Sequence, residues 1–278
     1  MVPARFAVIG DPVEHSLAPR LFGMLFDEHR VAASYRAERV REGELGAVLR
    51  RARQGEFQGL SIGLPHKVIL PKLLDGLETM ASRTGSVNCI RAEGKRLIGH
   101  NTLLSGVARA LHHHLGSYPT RKRVLILGAG GAARAVAVAL SSLSSAEVVI
   151  ANRTLAKAEE VAALVERGRA VRLDDDLRNE CIRAELIINA TSIGLQRPNA
   201  DPLPPTCPIR SGQTVVDLVY RPLQTALLRR ARHASATAID GLWVLIYQAM
   251  FQLALWAGGD ADRETAERLH AALAPEAA

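Results

Sequence analysis

The sequence has few cysteines, few aromatic residues and no run of basic residues. Its three cysteines, Cys89, Cys181 and Cys207, show no paired spacing such as C-x-x-C, which argues against a disulfide framework or a zinc motif. Aromatic residues make up 4% of the chain, whereas nucleic-acid binding needs a basic stripe with interleaved aromatic side chains. The net charge of +7 is spread along the chain. Small anionic molecules are therefore the expected partners, and nucleic acid is not.

No apolar run in the sequence is long enough to cross a membrane. The most apolar stretch, WVLIYQAMFQLALWAG at 243–258, is too short for a bilayer and is interrupted by Gln248 and Gln252, so it predicts a buried helix. The start, MVPARFAVIG, lacks the apolar region and cleavage site of a signal peptide. We predict a cytoplasmic monomer or homodimer with no membrane contact. No metal is expected, since the adjacent histidines at 112–114 point to different faces of a helix.

The order of strand-like and helix-like segments predicts two α/β halves. Hydrophobic residues make up 48% of the 278-residue chain, enough for a substantial core. From about residue 122, Val/Ile-rich runs alternate with helix-like stretches, which is typical of a parallel sheet covered on both faces. The earlier part also alternates, and SVNCIRAEGKRLIGHN predicts a hairpin turning at Glu93 and Gly94. A break just after Thr102 separates the halves, and a cleft between two such halves is a common place for a ligand.

A glycine turn in the second half has the spacing of a dinucleotide-binding motif. Gly128, Gly130 and Ala133 fit G-x-G-x-x-A directly after the strand-like VLIL. The first glycine permits a tight turn, the second lets the backbone approach a pyrophosphate, and the small third residue lets the helix pack on the strand. The pyrophosphate then lies on free N–H groups at the helix start. A glycine triplet alone is a weak signal, but its place between strand and helix makes dinucleotide binding the preferred hypothesis.

The end of the next strand distinguishes between cofactors. An NAD-binding protein usually places Asp or Glu there to hold the ribose 2′-hydroxyl, whereas this strand ends with Asn152, Arg153 and Thr154. A carboxylate would repel a 2′-phosphate, and a guanidinium can bind it with two parallel hydrogen bonds. The alternative is that Arg153 is only a solvated loop residue. We predict NADP as the cofactor.

Two residues of the first half are candidates for contact with a substrate. In GLSIGLPHKVIL a strand runs into Pro65 and then Lys67, which is predicted to begin a helix and to face the cleft. A lysine there can carry a substrate's proton while a nicotinamide takes the hydride; an ordinary surface lysine is the equal alternative. Ser16 precedes a helix expected to begin near Pro19. It either caps that helix, which is the safer interpretation, or binds a carboxylate there.

Nine motifs, taken together and in this order, resemble the shikimate dehydrogenase family over nearly the whole chain. They are GDPVEHSLAP, LPHK, GSVNC, GHNT, GAGGAARA, NRT, INATSIGL, DLVYRPLQTALL and DGLWVLIYQA. The resemblance implies an α/β fold with an N-terminal mixed-sheet substrate domain and a Rossmann-type NADP-binding domain. The expected ranges are 1–103 with 242–278 for the first and 104–241 for the second, so that the C-terminal helices return to the first domain.

The resemblance also implies a role for each matching residue. Lys67 is the catalytic residue. The residues expected on the substrate side are Ser16, Ser61, Asn88, Asn101, Tyr220 and Gln248. Those expected at the cofactor are Gly128, Ala129, Gly130, Gly131, Ala132, Asn152, Arg153, Thr154, Thr191 and Gly241. The implied reaction is NADP-dependent interconversion of a ring alcohol and a ketone on a small cyclic hydroxy acid of the shikimate/3-dehydroshikimate type.

The sequence departs from the family pattern mainly on the substrate side. Ala18 replaces a serine that would hold the substrate carboxylate, and Leu103 occupies the place of the aspartate that partners the lysine. Gly63 stands where a threonine is usual, and Trp243 and Tyr247 replace small residues beside the expected nicotinamide and substrate. The cofactor motifs are intact. We therefore expect weak turnover of shikimate itself.

Three hypotheses follow from these departures. The chain is a slow dehydrogenase on shikimate, a dehydrogenase of the same fold on another small cyclic substrate, or a non-catalytic NADP or metabolite sensor. The retained Lys67 and Asn88 argue against the sensor. His66 and His100 are the nearby residues that would have to replace the missing aspartate, and His66 is expected to point away from Lys67.

Overall fold

The computed structural model describes residues 3–143, 147–174 and 177–278, which form two compact units. The first unit contains Met1–Leu103 and Ile246–Leu269, and the second contains Leu104–Leu245 and His270–Ala278. Each unit is an α/β structure with a six-stranded sheet. No helix of the described residues is long and apolar enough to span a bilayer.

The sheet of the first unit is mixed, as predicted. Its strand order is β2-β1-β3-β5-β6-β4, with strands β1 (Ala4–Gly10), β2 (Ala33–Arg39), β3 (Gly59–Ile62), β4 (Gly76–Leu77), β5 (Cys89–Glu93) and β6 (Arg96–His100). Strand β1 pairs in parallel with β2 and β3, whereas β5 runs antiparallel to β3 and β6. Glu93 pairs with Arg96, and Gly94 between them has a φ of +62°. The predicted hairpin is therefore confirmed.

Helices α1 (Ala18–Glu28), α2 (Leu45–Arg53), α3 (Thr79–Thr84) and α9 (Gly241–Ala257) complete the elements around this sheet. Trp256 on α9 lies directly over β3, where a Cβ on Gly59 would come 2.3 Å from the indole nitrogen Nε1. The same nitrogen donates to the carbonyl of Ile90 on β5, at 3.1 Å. Only glycine therefore fits at position 59, and α9 is fixed against the sheet.

The second unit is a parallel sheet with Rossmann order. Its strands are β7 (Arg123–Leu127), β8 (Glu147–Asn152), β9 (Gly168–Arg172), β10 (Leu186–Asn189), β11 (Thr214–Asp217) and β12 (Thr237–Ile239). The order β12-β11-β10-β7-β8-β9 reverses between β7 and β10, and each described neighbouring pair is parallel. Ligands of such sheets bind outside the carboxyl ends of the strands at the reversal point.

The helices of the second unit alternate with its strands along most of the chain. They are α4 (Leu103–Leu115), α5 (Gly131–Ser142), α6 (Leu155–Ala162), α7 (Arg178–Arg183) and α8 (Ala226–His233). The last helix, α10 (Arg263–Ala277), divides between the two units after Leu269. The central strand β7 has four consecutive buried residues, Val124 to Leu127, as expected for a strand covered on both faces. The predicted α/β class and Rossmann-type sheet are confirmed.

The C-terminal helices divide between the units differently from the predicted domains. The prediction placed all of 242–278 in the first domain, whereas residues 270–278 group with the second unit. Contacts of the last helix explain this. Leu223 N–H donates to the carbonyl of Ala277 at 2.7 Å, and His270 Nε2 lies 3.1 Å from an Asp240 carboxylate oxygen.

The segment around Lys67 differs from the predicted helix. It forms two short 3₁₀ turns, His66–Val68 and Leu70–Lys72. Pro71 has no N–H and disfavours the α conformation in the residue before it, so a regular helix cannot continue through this segment.

Candidate active site and cofactor turn

The turn that carries Lys67 is fastened to the sheet of the first unit by backbone hydrogen bonds. Gly63 N–H donates to the carbonyl of Ile9 at 2.7 Å, just after strand β3 ends. Val87 N–H donates to the carbonyl of Lys67 itself, at 2.8 Å. A Cβ on Gly63 would lie 3.1 Å from the Ile9 oxygen. The backbone is thus fixed at Gly63 and at Lys67 itself, which sets the point from which the Lys67 side chain extends.

The amine of Lys67 is suited to proton transfer near neutral pH. The residue is partly buried, and burial alone lowers the pKa of its amine from the ordinary 10.5 to about 8. The charged form is disfavoured because it loses hydration without gaining an acidic partner. At pH 7 about 9% of Lys67 is therefore neutral and able to accept a proton.

His66 and His100 do not replace the missing aspartate as a partner of Lys67. His66 is completely buried, and its Nε2 lies 2.6 Å from the carbonyl of Val40, so its ring is turned into the fold, as expected. Burial lowers the pKa of His100, which keeps its ring neutral at physiological pH. Neither residue supplies a negative charge in place of the missing aspartate.

Asn88 lies in a buried amide network with Thr102 and Gln248. It is 2% exposed, and its Oδ1 accepts from Thr102 N–H at 2.7 Å. Its Nδ2 donates to Thr102 Oγ1 and to Gln248 Oε1, both at 3.2 Å. Two of the predicted substrate residues, Asn88 and Gln248, are thereby brought into direct contact. Thr102, which contacts Asn88 through both its N–H and its hydroxyl, was not predicted as a site residue.

Ser61 is bound on two sides by polar side chains. The hydroxyl of Tyr35 donates to Ser61 Oγ at 2.6 Å, and Ser61 Oγ donates to Gln252 Oε1 at 2.5 Å. Gln252 Nε2 in turn donates to Thr102 Oγ1 at 3.3 Å, which joins this chain of hydrogen bonds to Asn88. Tyr35 and Gln252 were missed by sequence reasoning. Gln252 interrupts the apolar stretch four residues after Gln248, one helical turn along α9, and this spacing was the available signal.

The side chains of Asn101 and Ser16 each accept a hydrogen bond from a backbone N–H at the start of a helix. Asn101 Oδ1 accepts from Leu103 N–H at 3.2 Å, at the first residue of α4, and its Nδ2 donates to the Ser86 carbonyl at 2.8 Å. Ser16 Oγ accepts from Ala18 N–H at 3.2 Å. Helix α1 begins at Ala18, one residue from the predicted start. The Ser16 hydroxyl keeps its proton for a further acceptor, because in this contact it is only the acceptor.

The glycine turn of the second unit has the conformation that the motif requires. Gly128 has a φ of +103°, and a Cβ there would lie 2.9 Å from Thr191 Cγ2, so a larger residue is excluded on two grounds. Gly130 is the N-cap of α5, and a Cβ on it would meet only open space. Ala133 is fully buried. The start of α5 therefore lies at the reversal point of the sheet, with open space in front of Gly130.

Strand β8 ends in the residues predicted to select the cofactor. Asn152 is the last residue of β8, and its Nδ2 donates to the carbonyl of Thr154 at 2.9 Å. Thr154 is the N-cap of α6. Arg153 between them is exposed. The turn is thus closed by an amide side chain, and the guanidinium of Arg153 is the charged group that it presents to solvent.

A buried network joins the carboxyl ends of β10 and β11. Asp217 Oδ1 accepts from Asn189 Nδ2 at 2.8 Å and from Val219 N–H at 3.0 Å, while its Oδ2 accepts from Thr225 Oγ1 at 2.7 Å. Asn189 Oδ1 accepts from Thr191 Oγ1 at 2.6 Å. Burial raises the pKa of Asp217 to about 6, although these hydrogen bonds oppose the rise. The network fixes the loop of Thr191, a predicted cofactor residue.

Gly241 is placed beside the same network. A Cβ on Gly241 would lie 2.7 Å from the carbonyl oxygens of Asp217 and Leu218, so the start of α9 approaches the end of β11 more closely than any other residue type allows. The preceding residue, Asp240, caps α9 by accepting from Leu242 N–H at 3.1 Å.

Trp243 is held by aromatic contacts within the second unit. Its indole stacks on His270 with ring centres 4.0 Å apart and an interplanar angle of 11°, and the centre of His113 is 4.4 Å away. The edge of His114 contacts it as well, at 5.0 Å. The three-histidine run therefore packs partly against Trp243 and is not merely a solvated helix end. Among the described residues, no cluster of His, Cys, Asp and Glu fits a metal ion.

Comparisons with known proteins match part of each unit to a known protein family. Residues 8–90 match the shikimate dehydrogenase substrate binding domain, and residues 110–219 match the shikimate / quinate 5-dehydrogenase family. The chain belongs to the shikimate dehydrogenase family. The shikimate dehydrogenase (NADP(+)) of Moorella thermoacetica is 40% identical over 95% of this chain and 91% of that protein.

Solved structures of the same fold include more than one activity. The shikimate 5-dehydrogenase of Thermus thermophilus, in complex with NADP(H) and shikimate, has a TM-score of 0.85 and is 36% identical over 97% of this chain and 99% of that one. The 5-ketofructose reductase of a Gluconobacter species, in its ligand-free form, has a TM-score of 0.82 and is 30% identical, over 98% and 99%. The resemblance inferred from the motifs is confirmed.

The structure sorts the predicted site residues by unit. Those in the first unit are Ser16, Ser61, Lys67, Asn88, Asn101 and Gln248. Those in the second are Tyr220 and the predicted cofactor residues, from Gly128 to Ala132, from Asn152 to Thr154, Thr191 and Gly241. Each unit of this shikimate dehydrogenase family member therefore contains residues of one predicted class, substrate side or cofactor side, apart from Tyr220.

Proposed function

We propose that this chain is an NADP(H)-dependent oxidoreductase that interconverts a ring alcohol and a ketone on a small cyclic hydroxy acid of the shikimate/3-dehydroshikimate type. The observation that carries the proposal is Lys67, fixed by its backbone on a short turn and with an amine pKa of about 8. A general acid or base works best when its pKa lies near the working pH. The names of the curated relatives support the same reaction.

In this proposal Lys67 carries the proton at the reacting oxygen. When the alcohol is oxidised, its hydroxyl gives a proton to the neutral amine of Lys67, and in the reverse direction the ammonium returns it to the oxygen. Asn88 and Gln248 orient the substrate, since their amide groups are already aligned by the hydrogen bond from Asn88 to Gln248 and lose little freedom on binding. Ser16 binds the substrate carboxylate at the start of α1, where helix N–H groups favour an anion.

The second unit holds the cofactor in this proposal, and its residues fit that group. The open space at Gly130 lets a pyrophosphate approach the N–H groups of Gly130, Gly131 and Ala132. Arg153 binds the 2′-phosphate, and Thr191 and Gly241 lie at the nicotinamide end. Bound NADP⁺ supplies the hydride acceptor, and NADPH the donor. The unit with Lys67 is then the substrate-binding and catalytic domain.

A second candidate is a reaction on a different small cyclic substrate. Ala18 and Leu103 remove a hydroxyl and a carboxylate that the family pattern places around shikimate, and Gly63 removes a further hydroxyl. A reductase named for a different substrate, 5-ketofructose, shares the fold at 30% identity. We also place the enzyme in the reducing cytoplasm as a monomer or homodimer, in keeping with its three buried, free cysteines.

The test is a substrate screen followed by nicotinamide absorbance. Purified protein is assayed with NADP⁺ or NADPH against shikimate, 3-dehydroshikimate and related cyclic hydroxy acids and hydroxyketones. Lys67→Ala should abolish turnover of any active substrate and leave NADPH binding nearly unchanged. Lys72→Ala is the matched control, because Lys72 is an exposed lysine on the next turn and should keep full activity. Absence of turnover across the panel would contradict the proposed function.

A further inference from the structure

We propose that Arg172 is a second residue that recognises the 2′-phosphate of NADP(H), acting beside Arg153. The inference rests on the proposed function, in which the end of β8 binds the adenosine ribose. It adds a residue that lies about twenty positions further along the chain, on the neighbouring strand.

The sheet places Arg172 at the required edge. Strands β8 and β9 run in parallel, and Asn152 at the end of β8 is paired with Arg172 at the end of β9. The pairing continues beyond the strand ends, because Leu173 N–H donates to the carbonyl of Asn152 at 3.1 Å. Arg172, the last residue of β9, therefore lies beside Asn152, the residue that precedes Arg153.

A direct contact joins the two arginines. Arg172 Nη1 donates to the carbonyl oxygen of Arg153, at 3.4 Å. The contact directs the Arg172 side chain across the sheet edge toward the turn after β8. It uses one of the five N–H donors of the guanidinium, so the others remain for an anion bound at Arg153.

Among the residues that the structure describes, the ion pair of Arg172 is a loose one. The Asp174 carboxylate is 3.9 Å from its Nε, and the two side chains are 61% and 42% exposed. Such a pair is long and well hydrated, so it is easily exchanged for a better anion. Arg134 at the start of α5 differs, because its side chain is 16% exposed and pairs with Glu160 at 2.8 Å. Arg134 is therefore closely paired with a carboxylate, whereas the described ion pair of Arg172 is long and exposed.

The chemistry of the ligand favours two guanidinium groups. A phosphate monoester carries about 1.5 to 2 negative charges at pH 7 and three acceptor oxygens. A single arginine guanidinium cannot neutralise that charge or bind all three oxygens. Two arginines at one turn repel each other when only a ribose hydroxyl is present. Arg172 should therefore discriminate between NADPH and NADH, and should not simply strengthen both.

The test compares Arg172→Gln with Arg169→Gln in the full-length protein. Arg169 is on the same strand but pairs with Glu147 and Glu180, so its loss should leave cofactor binding unchanged. Calorimetric or fluorescence titration is run with NADPH, NADH, adenosine 2′-monophosphate and adenosine. Arg172→Gln should weaken NADPH and adenosine 2′-monophosphate by roughly ten- to thirtyfold, as for a charge-assisted hydrogen bond, and leave NADH and adenosine unchanged.

Each other result has a distinct meaning. Equal weakening of NADPH and NADH by Arg172→Gln would overturn the inference, because Arg172 would then support the turn without recognising the phosphate. Unchanged NADPH binding would overturn it as well. Equal affinity of the unmodified protein for NADPH and NADH would instead refute the NADP assignment itself. Circular dichroism and thermal unfolding of both variants verify that the fold is retained.

Discussion

The rate of alcohol oxidation should rise with pH as Lys67 loses its proton. Burial places the pKa of the Lys67 amine at about 8, below its ordinary 10.5. At pH 7 an amine with a pKa of 8 is about 9% neutral, whereas one with a pKa of 10.5 is only about 0.03% neutral, so burial raises the reactive form roughly 300-fold. We expect kcat/KM for oxidation to increase about tenfold per pH unit below pH 7 and to level off above about pH 8.5.

The assay is the initial rate of NADPH formation between about pH 6 and 10, measured with whichever ring alcohol is turned over. Lys67→Ala should remove the pH-dependent rise together with the activity, and the exposed Lys72→Ala should leave the whole profile unchanged. A rise whose midpoint lies near the ordinary lysine pKa of about 10 would show that Lys67 is not desolvated in the working enzyme. A flat profile in an active enzyme would show that Lys67 does not accept the proton.

Three further predictions concern the cofactor, the substrate and stability. Arg153→Ala should reduce the preference for NADPH over NADH about ten- to a hundredfold in parallel titrations, and an unchanged ratio would exclude Arg153 as a phosphate ligand. The double change Ala18→Ser and Leu103→Asp should increase the initially weak turnover of shikimate, and the aspartate should act mainly on kcat. Because Leu103 is 5% exposed, NADPH binding must first show that the variant keeps an intact fold. Rapid turnover of shikimate by the unmodified protein would contradict the reasoning. Asp217 has a folded pKa raised from 3.8 to about 6, so the folded state binds the extra proton and stability falls as pH rises from about 4 to 6. In Asp217→Asn the free energy of unfolding should not show this decline, which is at most about 3 kcal/mol. Urea unfolding at several pH values measures it. The same pH dependence of the free energy of unfolding in both proteins would contradict this prediction.

Much of the fold follows from local patterns in the sequence. The run VLIL, the glycines after it and the alanine-rich segment predicted strand, turn and helix, and the structure has β7, Gly128 with a positive φ and α5 in that order. The family was recognisable because its motifs keep their order along the chain. These features depend on steric rules within a few residues, which a sequence displays directly.

The networks around the candidate site were not predictable in the same way. Tyr35, Ser61 and Gln252 are joined by hydrogen bonds although Ser61 and Gln252 are 191 residues apart. The Asp240–His270 contact and the stacking of Trp243 on His270 also depend on where the last helix returns. Tertiary contacts of this kind are set by the packing of whole elements, and no local spacing encodes them. The position of Lys67 was predicted, but its short 3₁₀ turn was not.

The two tryptophans give each unit its own optical reporter. Trp256 in the first unit packs among Phe6 and Phe22, with a ring-centre distance of 4.6 Å to Phe6, and Trp243 in the second unit stacks on His270. Replacing either one by phenylalanine leaves emission from one unit alone. Unfolding of the two units can then be followed separately in the same chain. The Trp243 signal also reports when His270, on α10, moves away from the indole.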